Sequence, residues 1–418
     1  QSINKNKLLL IESEMKGPKG HFLDNLIEST KNFEKKLKIY WILNKKFNSE
    51  GTYIPKNIKI FRSISTNKFN RKKNKLLYLS EEIYLFFVNI FHIFYFSLYF
   101  LKEKNFVNFF IALKSNYFLL PKYFNSFYKT FISLKFSKKD HVFFQTARRK
   151  DMALINFLIK IDKNHPNFHI RVMLPPKIRF KGFFYYIKEI DEQLKFNRAF
   201  VYLFGDFTHK LFLKHSISKI GILKSNIPWS FYTRKFKKKN HVIGFIGNAR
   251  KAKGFHLLPE LIKTLENKTN NLKYIIQFSN VSDDLINTKK ELYEMAKNNK
   301  RIVIIEKYCD YQQFRNILKK IDIMPIIHKA NEINTITSGT MYSCLSYEIP
   351  IIIPEGTKFM KNILKYKSFE KANNLKHYAN KILKISFNYN YYLRNMKLNS
   401  KILRQILKND PLRKNILS

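Results

Sequence analysis

Two stretches of this chain combine the residue types that hold anions. The first is GFIGNARKAKGFHLLPELI, residues 244–262: a buried strand, a turn containing glycine and cations, then a helix. Gly247 allows close approach of backbone to a ligand. A helix beginning near Gly254 presents unsatisfied N–H groups, and Arg250 and Lys253 add full positive charge beside them. A diphosphate is the ligand such an arrangement suits. The second stretch, residues 321–360, is IDIMPIIHKANEINTITSGTMYSCLSYEIPIIIPEGTKFM. Here Ser338 or Thr340 can cap a helix whose Gly339 amide points at a ligand, and a buried strand, Ile349 to Ile353, leads to Pro354, Glu355 and Gly356. Each stretch also has a plainer reading, as exposed loop cations in a Lys-rich chain and as a capped helix with no ligand.

The elements that must position these residues alternate between strand and helix. KLLLIE (7–12), LKIYWIL (37–43), NIKIFRSI (57–64), HVFFQT (141–146), HIRVML (169–174) and AFVYLFG (199–205) read as strands. The amphipathic FLDNLIEST follows the first and ALINFLIKI follows the fourth. A second series, HVIGFIG (241–247), KYIIQF (273–278), RIVII (301–305), IDIMPII (321–327) and IPIII (349–353), begins after the basic run Arg234 to Lys239. Such alternation predicts an α/β chain of two Rossmann-like, doubly wound domains. In both, ligands bind at the carboxyl ends of the strands. The boundaries expected are 1–228, 229–385 and a basic helical tail, 386–418.

Residues 65–138 are far more chain than a crossover needs, and read as an aromatic-rich helical insertion in the first domain. Residues 83–101, IYLFFVNIFHIFYFSLYFL, carry no charge and have the length of a membrane span. A crossing there would divide one sheet between two sides of a bilayer. A helix lying in the interface is therefore favoured over a buried helix or a span, with Lys68, Arg71, Lys72, Lys73 and Lys75 before it.

The balance of 78 Lys+Arg against 30 Asp+Glu gives a net charge of +48, while 45% hydrophobic content supports sizeable cores and excludes global disorder. Such charge draws the chain to anionic surfaces, although Lys-for-Glu drift on solvated faces gives the same excess without a ligand. Cys309 and Cys344 form no CxxC pair, so neither a structural zinc nor a disulfide framework is expected. Lys5 and Lys7 precede only the short run Leu8 to Ile11, too brief for a secretory signal, and a reducing cytosol fits. There is no HExxH, Walker A loop, GxSxG elbow or Asp-x-Asp motif.

The order of a strand ending in glycine, a basic turn with Lys-Gly, an Asp-x-x-Pro strand, a Gly-containing helix start and a buried Pro-Ile-Ile strand resembles the C-terminal half of GT-B glycosyltransferases of the group-1 (family-four) type. KGPKGHFLDNLIEST resembles their first loop and helix, KKDHVFFQTA a strand entered through Asp, and FVYLFGDFTHKLFLK with KIGILKSNIP their last N-domain helix and hinge. The resemblance spans most of the chain outside residues 65–138. It implies two domains facing across a cleft and transfer of a sugar from a nucleotide-sugar co-substrate, with no metal and no other cofactor. Lys253 would bind the donor diphosphate, and Arg250 would replace the Arg usually found nearer the strand, where Asn248 stands. Gly247, Gly254, Ser338, Gly339, Thr340 and Glu355 would complete the donor site. The family's glutamate pair is absent: Thr335 and Ser343 occupy those positions, and Glu332, Asn334 and Glu355 are polar residues nearby.

On the acceptor side, Gly17, Gly20 and His21 on the first loop and Thr146, Arg148 and Arg149 after HVFFQT are expected to face the same cleft, with His21 read either as a base or as a plain helix-start histidine. The partners implied are a nucleotide sugar and a glycan or lipid-linked acceptor in cell-surface polysaccharide synthesis. The location expected is cytoplasmic and peripheral, on an anionic inner membrane face. Two rival readings remain. One is a nucleic-acid-binding protein, against which no finger, helix-turn-helix, RRM or KH signature is present. The other is a non-catalytic membrane-associated scaffold.

Overall fold

The structure is a computed structural model that describes residues 5–12, 15, 21–48, 53–55, 58–64, 127, 130–161, 164–172, 194–196, 198–203, 209–210, 212–213, 221–225, 230–236, 239–328, 333, 338–358 and 361–418. The chain forms two compact units, 1–227 with 410–418, and 228–409.

In the first unit, β1 (Lys7–Glu12), α1 (His21–Phe33), β2 (Lys38–Asn44), β3 (Lys59–Ile64), β4 (His141–Phe144), α2 (Arg149–Ile161), β5 (Asn167–Val172), β6 (Ala199–Leu203) and β7 (Ile222–Lys224) follow in order. Uninterrupted apolar runs such as Leu8 to Ile11 form strands buried on both faces, as parallel sheets require. The sheet is parallel throughout, in the order β3-β2-β1-β4-β5-β6-β7. The chain therefore reverses its direction of winding between β1 and β4. The short edge strand β7 falls where the sequence reads only a hinge. Phe127 and Phe131, from the end of the expected insertion, join this unit's core with Phe144 and Val201. Residues 68–75 and 83–101 lie outside the described residues. Among the described residues, no helix is long and apolar enough to cross a membrane.

Polar groups are buried in this sheet as well. Arg171 on β5 is fully buried; its Nε donates to the Gln145 carbonyl and its Nη2 to Gln145 Oε1, each at 3.0 Å. Burial lowers its pKa to about 10, against the opposing influence of Glu12 and Asp410. A line of hydrogen bonds crosses three strands: His141 Nδ1 to His169 Nε2 at 3.0 Å, and His169 Nδ1 to the Tyr202 hydroxyl at 3.0 Å. Asn415 Nδ2 then donates to the same hydroxyl. Burial pushes His141 down to about 4 and His169 well below the usual range, His141 adding to the latter shift. Both rings are neutral at pH 7 in the fold, whereas the unfolded chain protonates them near 6.5. Stability is therefore full above that value and falls as pH drops from 6.5 toward 4, by about 1.4 kcal/mol per pH unit for each histidine that protonates. Urea melts at pH 7 and pH 5 measure this slope, and a His141→Gln/His169→Gln variant flattens it.

The second unit contains β8 (His241–Asn248), two 3-10 turns (Lys251–Lys253 and Phe255–Leu257), α3 (Leu258–Glu266), β9 (Leu272–Ser279), α4 (Ile286–Asn298), β10 (Ile302–Glu306), α5 (Tyr311–Lys320), β11 (Met324–Pro325), α6 (Gly339–Ser346), β12 (Ile351–Pro354), β13 (Phe369–Ala372), α7 (Leu375–Phe387) and α8 (Tyr389–Lys408). Its strands pair in two parallel sets, β10-β9-β8 and β11-β12-β13. An Ile243–Ile323 bridge and the Gly244 N–H bond to the Ile323 carbonyl, 2.9 Å, link β8 to the chain entering β11. Leu258, Leu261, Ile262 and Leu265, the apolar face of α3, are buried in the core with Tyr274, Ile276 and Ile352.

The basic run that separates the two series is not uniformly solvated. Arg234 is 5% exposed. Its guanidinium donates to the carbonyls of Tyr347 (3.0 Å), Leu318 (2.6 Å) and Lys319 (3.3 Å) and pairs with Asp322 at 3.3 Å. It thus covers the last carbonyls of α5 and α6, where orphan acceptors and the negative dipole end favour a cation. The tail expected as a separate element is divided. Tyr389, Tyr392 and Leu393 of α8 enter the second core. A final helix, α9 (Pro411–Leu417), belongs to the first unit, where Asp410 accepts from Ser225 Oγ at 2.6 Å and Arg413 donates to Asn32.

Candidate anion-binding site

In the second unit, β9 and β10 lie on one side of β8, while β11, β12 and β13 continue on the other. The helices after β8 and β11 therefore leave on opposite faces of the sheet, opening a crevice at the carboxyl ends of these two strands. The two sequence stretches singled out for anion binding deliver their residues there. Gly247, Asn248 and Lys253 from the β8 side, and Ile327, His328 and Thr340 from the β11 side, line one narrow pocket of about 40 Å³. A second cavity of about 420 Å³ shares Ile327 and His328 with it and is walled by Lys251, Gly254, His256, Glu355, Asn373 and Asn374. That volume lies in the range of small-molecule sites.

Lys253 is the electrostatic centre. Its Nζ stands over Gly247, 3.1 Å from where a Cβ on that residue would lie, and Gly247 holds φ +128°. Only a residue without a side chain serves both demands. Burial, and the nearby Arg250, lower the Lys253 pKa. Among the described residues it has no hydrogen bond or ion pair. A half-buried ammonium without a counter-ion is costly in a fold unless an anion arrives from outside. Arg250, exposed at the N-terminal end of the first 3-10 turn, adds positive potential at the pocket's margin.

The structure revises several of the sequence assignments. The helix expected near Gly254 opens as a 3-10 turn, Phe255–Leu257, with Gly254 as its N-cap, before α3 follows at Leu258, and the Gly254 N–H already donates to the Lys251 carbonyl at 3.0 Å. Gly254 adopts φ +73° and packs on the backbone of Ile327, whose oxygen would lie 2.6 Å from an added Cβ. Gly254→Ala combines αL strain with this contact, so a loss of at least 1–2 kcal/mol is expected, read as a lowered urea midpoint with an unchanged m-value. The Gly247 N–H donates to Gln277 Oε1 at 3.2 Å, and Asn248 Oδ1 accepts from Ser279 Oγ at 2.9 Å, so both groups already have protein partners.

Of the two residues able to cap α6, Ser338 does so, its Oγ accepting from the Met341 N–H at 3.3 Å. Gly339 and Thr340 are thus the first residues of α6, where N–H groups have no intrahelical acceptor. Glu355 is exposed and lines the larger cavity, not the pocket that holds Lys253.

On the first unit, Thr146 and Arg148 follow β4, next to the point where its strand order reverses. Arg148 is exposed and heads α2, its N–H donating to Asp151 Oδ2 at 2.7 Å. Thr146 Oγ1 is buried without a hydrogen-bond partner among the described residues. His21 is the first residue of α1; Gly17, Gly20, Glu332, Asn334 and Thr335 lie outside the described residues.

His328 is the residue that sequence reasoning missed. It immediately follows the apolar run ending at Ile327, at the carboxyl edge of the sheet, and that position was its only signal. Burial pushes its pKa down to about 4, with Lys253 adding to the shift, so the ring is neutral at pH 7. A neutral imidazole can donate one hydrogen bond and accept another.

No protein-family model matches the chain, and no curated protein matches it in sequence. Solved structures do. Anabaena HepE in complex with UDP superposes with a TM-score of 0.58 at 11% identity, over 98% of this chain and 97% of that one. Sucrose-phosphate synthase from Thermosynechococcus elongatus gives a TM-score of 0.54 at 9% identity, over 96% and 95%. A glycosyltransferase from Rickettsia africae gives 0.54 at 14%, over 99% and 96%. Likeness over nearly the whole length at such low identity establishes the architecture, and this chain has the GT-B fold of those glycosyltransferases.

Proposed function

We propose that this protein is a glycosyltransferase that moves a sugar from a nucleoside-diphosphate donor to a hydroxyl of a glycan or lipid-linked acceptor in cell-surface polysaccharide synthesis. The observation that carries this reading is Lys253: a half-buried cation without a counter-ion, at the topological switch point of a GT-B unit, beside the start of α6 and a neutral His328. HepE, of the same fold, is solved with UDP bound.

In the reaction, the acceptor oxygen bonds to the anomeric carbon as the bond from that carbon to the diphosphate oxygen breaks. The hydroxyl proton leaves to a base or to the departing diphosphate. Lys253, Arg250 and the first N–H groups of α6 stabilise the charge that grows on the leaving group, which is where preorganised donors act most strongly. These cations let the reaction proceed without a metal. Placement on the cytoplasmic face of the membrane fits a lipid-linked acceptor and the strongly basic chain.

The test is thermal stability with a panel of nucleoside diphosphates and sugar nucleotides at moderate salt, followed by release of free nucleotide in the presence of acceptor. A ligand at 100 times its Kd stabilises by about 2.7 kcal/mol, a readily measured rise in Tm. No stabilisation by any nucleotide would overturn the reading. Stabilisation without turnover on any acceptor would leave a binding scaffold in its place.

A further inference from the structure

Helices α7 and α8 carry no acidic residue from Leu375 to Lys408, and eight lysines and arginines lie along them. Their outward faces are organised. On α8, Arg394, Lys401 and Lys408 recur every seven residues and are exposed, so they share one side of a helix about 30 Å long. Arg394, Lys401 and Lys408 have no ion pair among the described residues.

At the junction of the two helices, Phe387 is 82% exposed and Tyr391 55%, the former the most exposed large apolar side chain of the described residues. Beside them Lys367, Lys381 and Lys384 gather within 4 Å of the single carboxylate of Glu370, which also accepts from Tyr392, the neighbour of Tyr391. Tyr366, 44% exposed, is tied to α8 through Asn399, and Phe236, 54% exposed, lies under Lys397. Exposed aromatic side chains thus stand at the start of α8 and against its Lys397, on the helix that carries the row of cations.

We infer that this face of α7 and α8 is a docking surface for an anionic lipid bilayer. Aromatic rings favour the headgroup level, and lysines and arginines beside them are drawn to anionic lipid. Folding leaves Phe387 in water although a core was available to every other aromatic of this helix pair except Tyr391. Single-stranded nucleic acid is the weaker fit. It is held in grooves that track its backbone, whereas these cations run along the outside of a single helix. No residue of α7 or α8 lines the pocket that holds Lys253.

The test uses the full chain and vesicles of phosphatidylcholine alone or with 30% phosphatidylglycerol, read by co-sedimentation. The wild type is expected to bind the anionic vesicles, and Arg394→Glu/Lys401→Glu to lower the partition coefficient at least about 25-fold, from roughly fivefold per cation. Phe387→Ser/Tyr391→Ser lowers it several-fold, and Tm values within 2 °C of wild type show these exposed substitutions leave the fold intact. In a Phe387→Trp variant, bromine-labelled lipid quenches the new indole. Unchanged partitioning of both double variants, absence of quenching, or displacement of the protein from vesicles by an oligonucleotide that binds the phenylalanine-to-serine variant equally well would each overturn the inference. No turnover is read, so failure here leaves the transferase reading standing, and failure of nucleotide binding leaves this one standing.

Discussion

Lys253→Met is expected to weaken nucleoside-diphosphate binding by roughly 10- to 150-fold, the worth of a charge-assisted hydrogen bond of about 1.5–3 kcal/mol, without lowering the stability of the free protein. The two halves of this result have one cause. The ammonium is half-buried with no protein partner, so in the unliganded fold it contributes a desolvation cost that methionine of similar length removes. The folded-state pKa lies below the ordinary lysine value, so the cost is present at neutral pH and is relieved as pH rises past that lowered value. Isothermal titration with UDP, together with melts of both free proteins, measures the pair. A fall in Tm with unchanged affinity would make Lys253 a structural residue and remove the main support for the proposed site. The pH profile adds a second check: affinity should be full near pH 7 and decline before pH reaches 10.5, the ordinary lysine value, since only the protonated amine attracts the diphosphate.

Arg234→Met is expected to destabilise the second unit by about 3–5 kcal/mol, a larger loss than Gly254→Ala produces. Removal of the guanidinium leaves the carbonyls of Leu318, Lys319 and Tyr347 and the Asp322 carboxylate without their donor. Asp322 Oδ2 also accepts the Val242 N–H at 2.9 Å, so the loss spreads to the join between β8 and β11 that shapes the anion pocket. Arg234→Lys should recover little, because a single ammonium cannot reach three carbonyls that the planar fork bridges together. Urea melts of the full chain report the loss, with tryptophan emission as one probe and circular dichroism as another to separate the units. A change below 1 kcal/mol would show that water replaces the arginine without cost.

The architecture was legible because parallel sheets bury both faces of their strands, and that demand writes unbroken apolar runs such as LLLI, YIIQF and IPIII directly into the chain. Gly-containing turns at their ends marked where an anion could approach, and Lys253, Gly247 and Thr340 do line one pocket. Two short strands without an apolar run of their own were not legible. β7 and β13 span only Ile222–Lys224 and Phe369–Ala372, and such runs lack a period of their own.

Charge was the least legible property. Arg234 and Arg171 look in sequence like any other basic residue of a +48 chain, and their partners are backbone carbonyls 26 to 113 positions away. The same holds for Phe387, one of 40 phenylalanines, which folding places at the surface while Tyr378, Tyr389 and Tyr392 of the same helix pair are buried. Local periodicity and turn chemistry are short-range properties and can be read along the chain. Which cations are buried, which stand without a counter-ion and which gather on one face depends on contacts between residues far apart in sequence, and only the packed structure decides that.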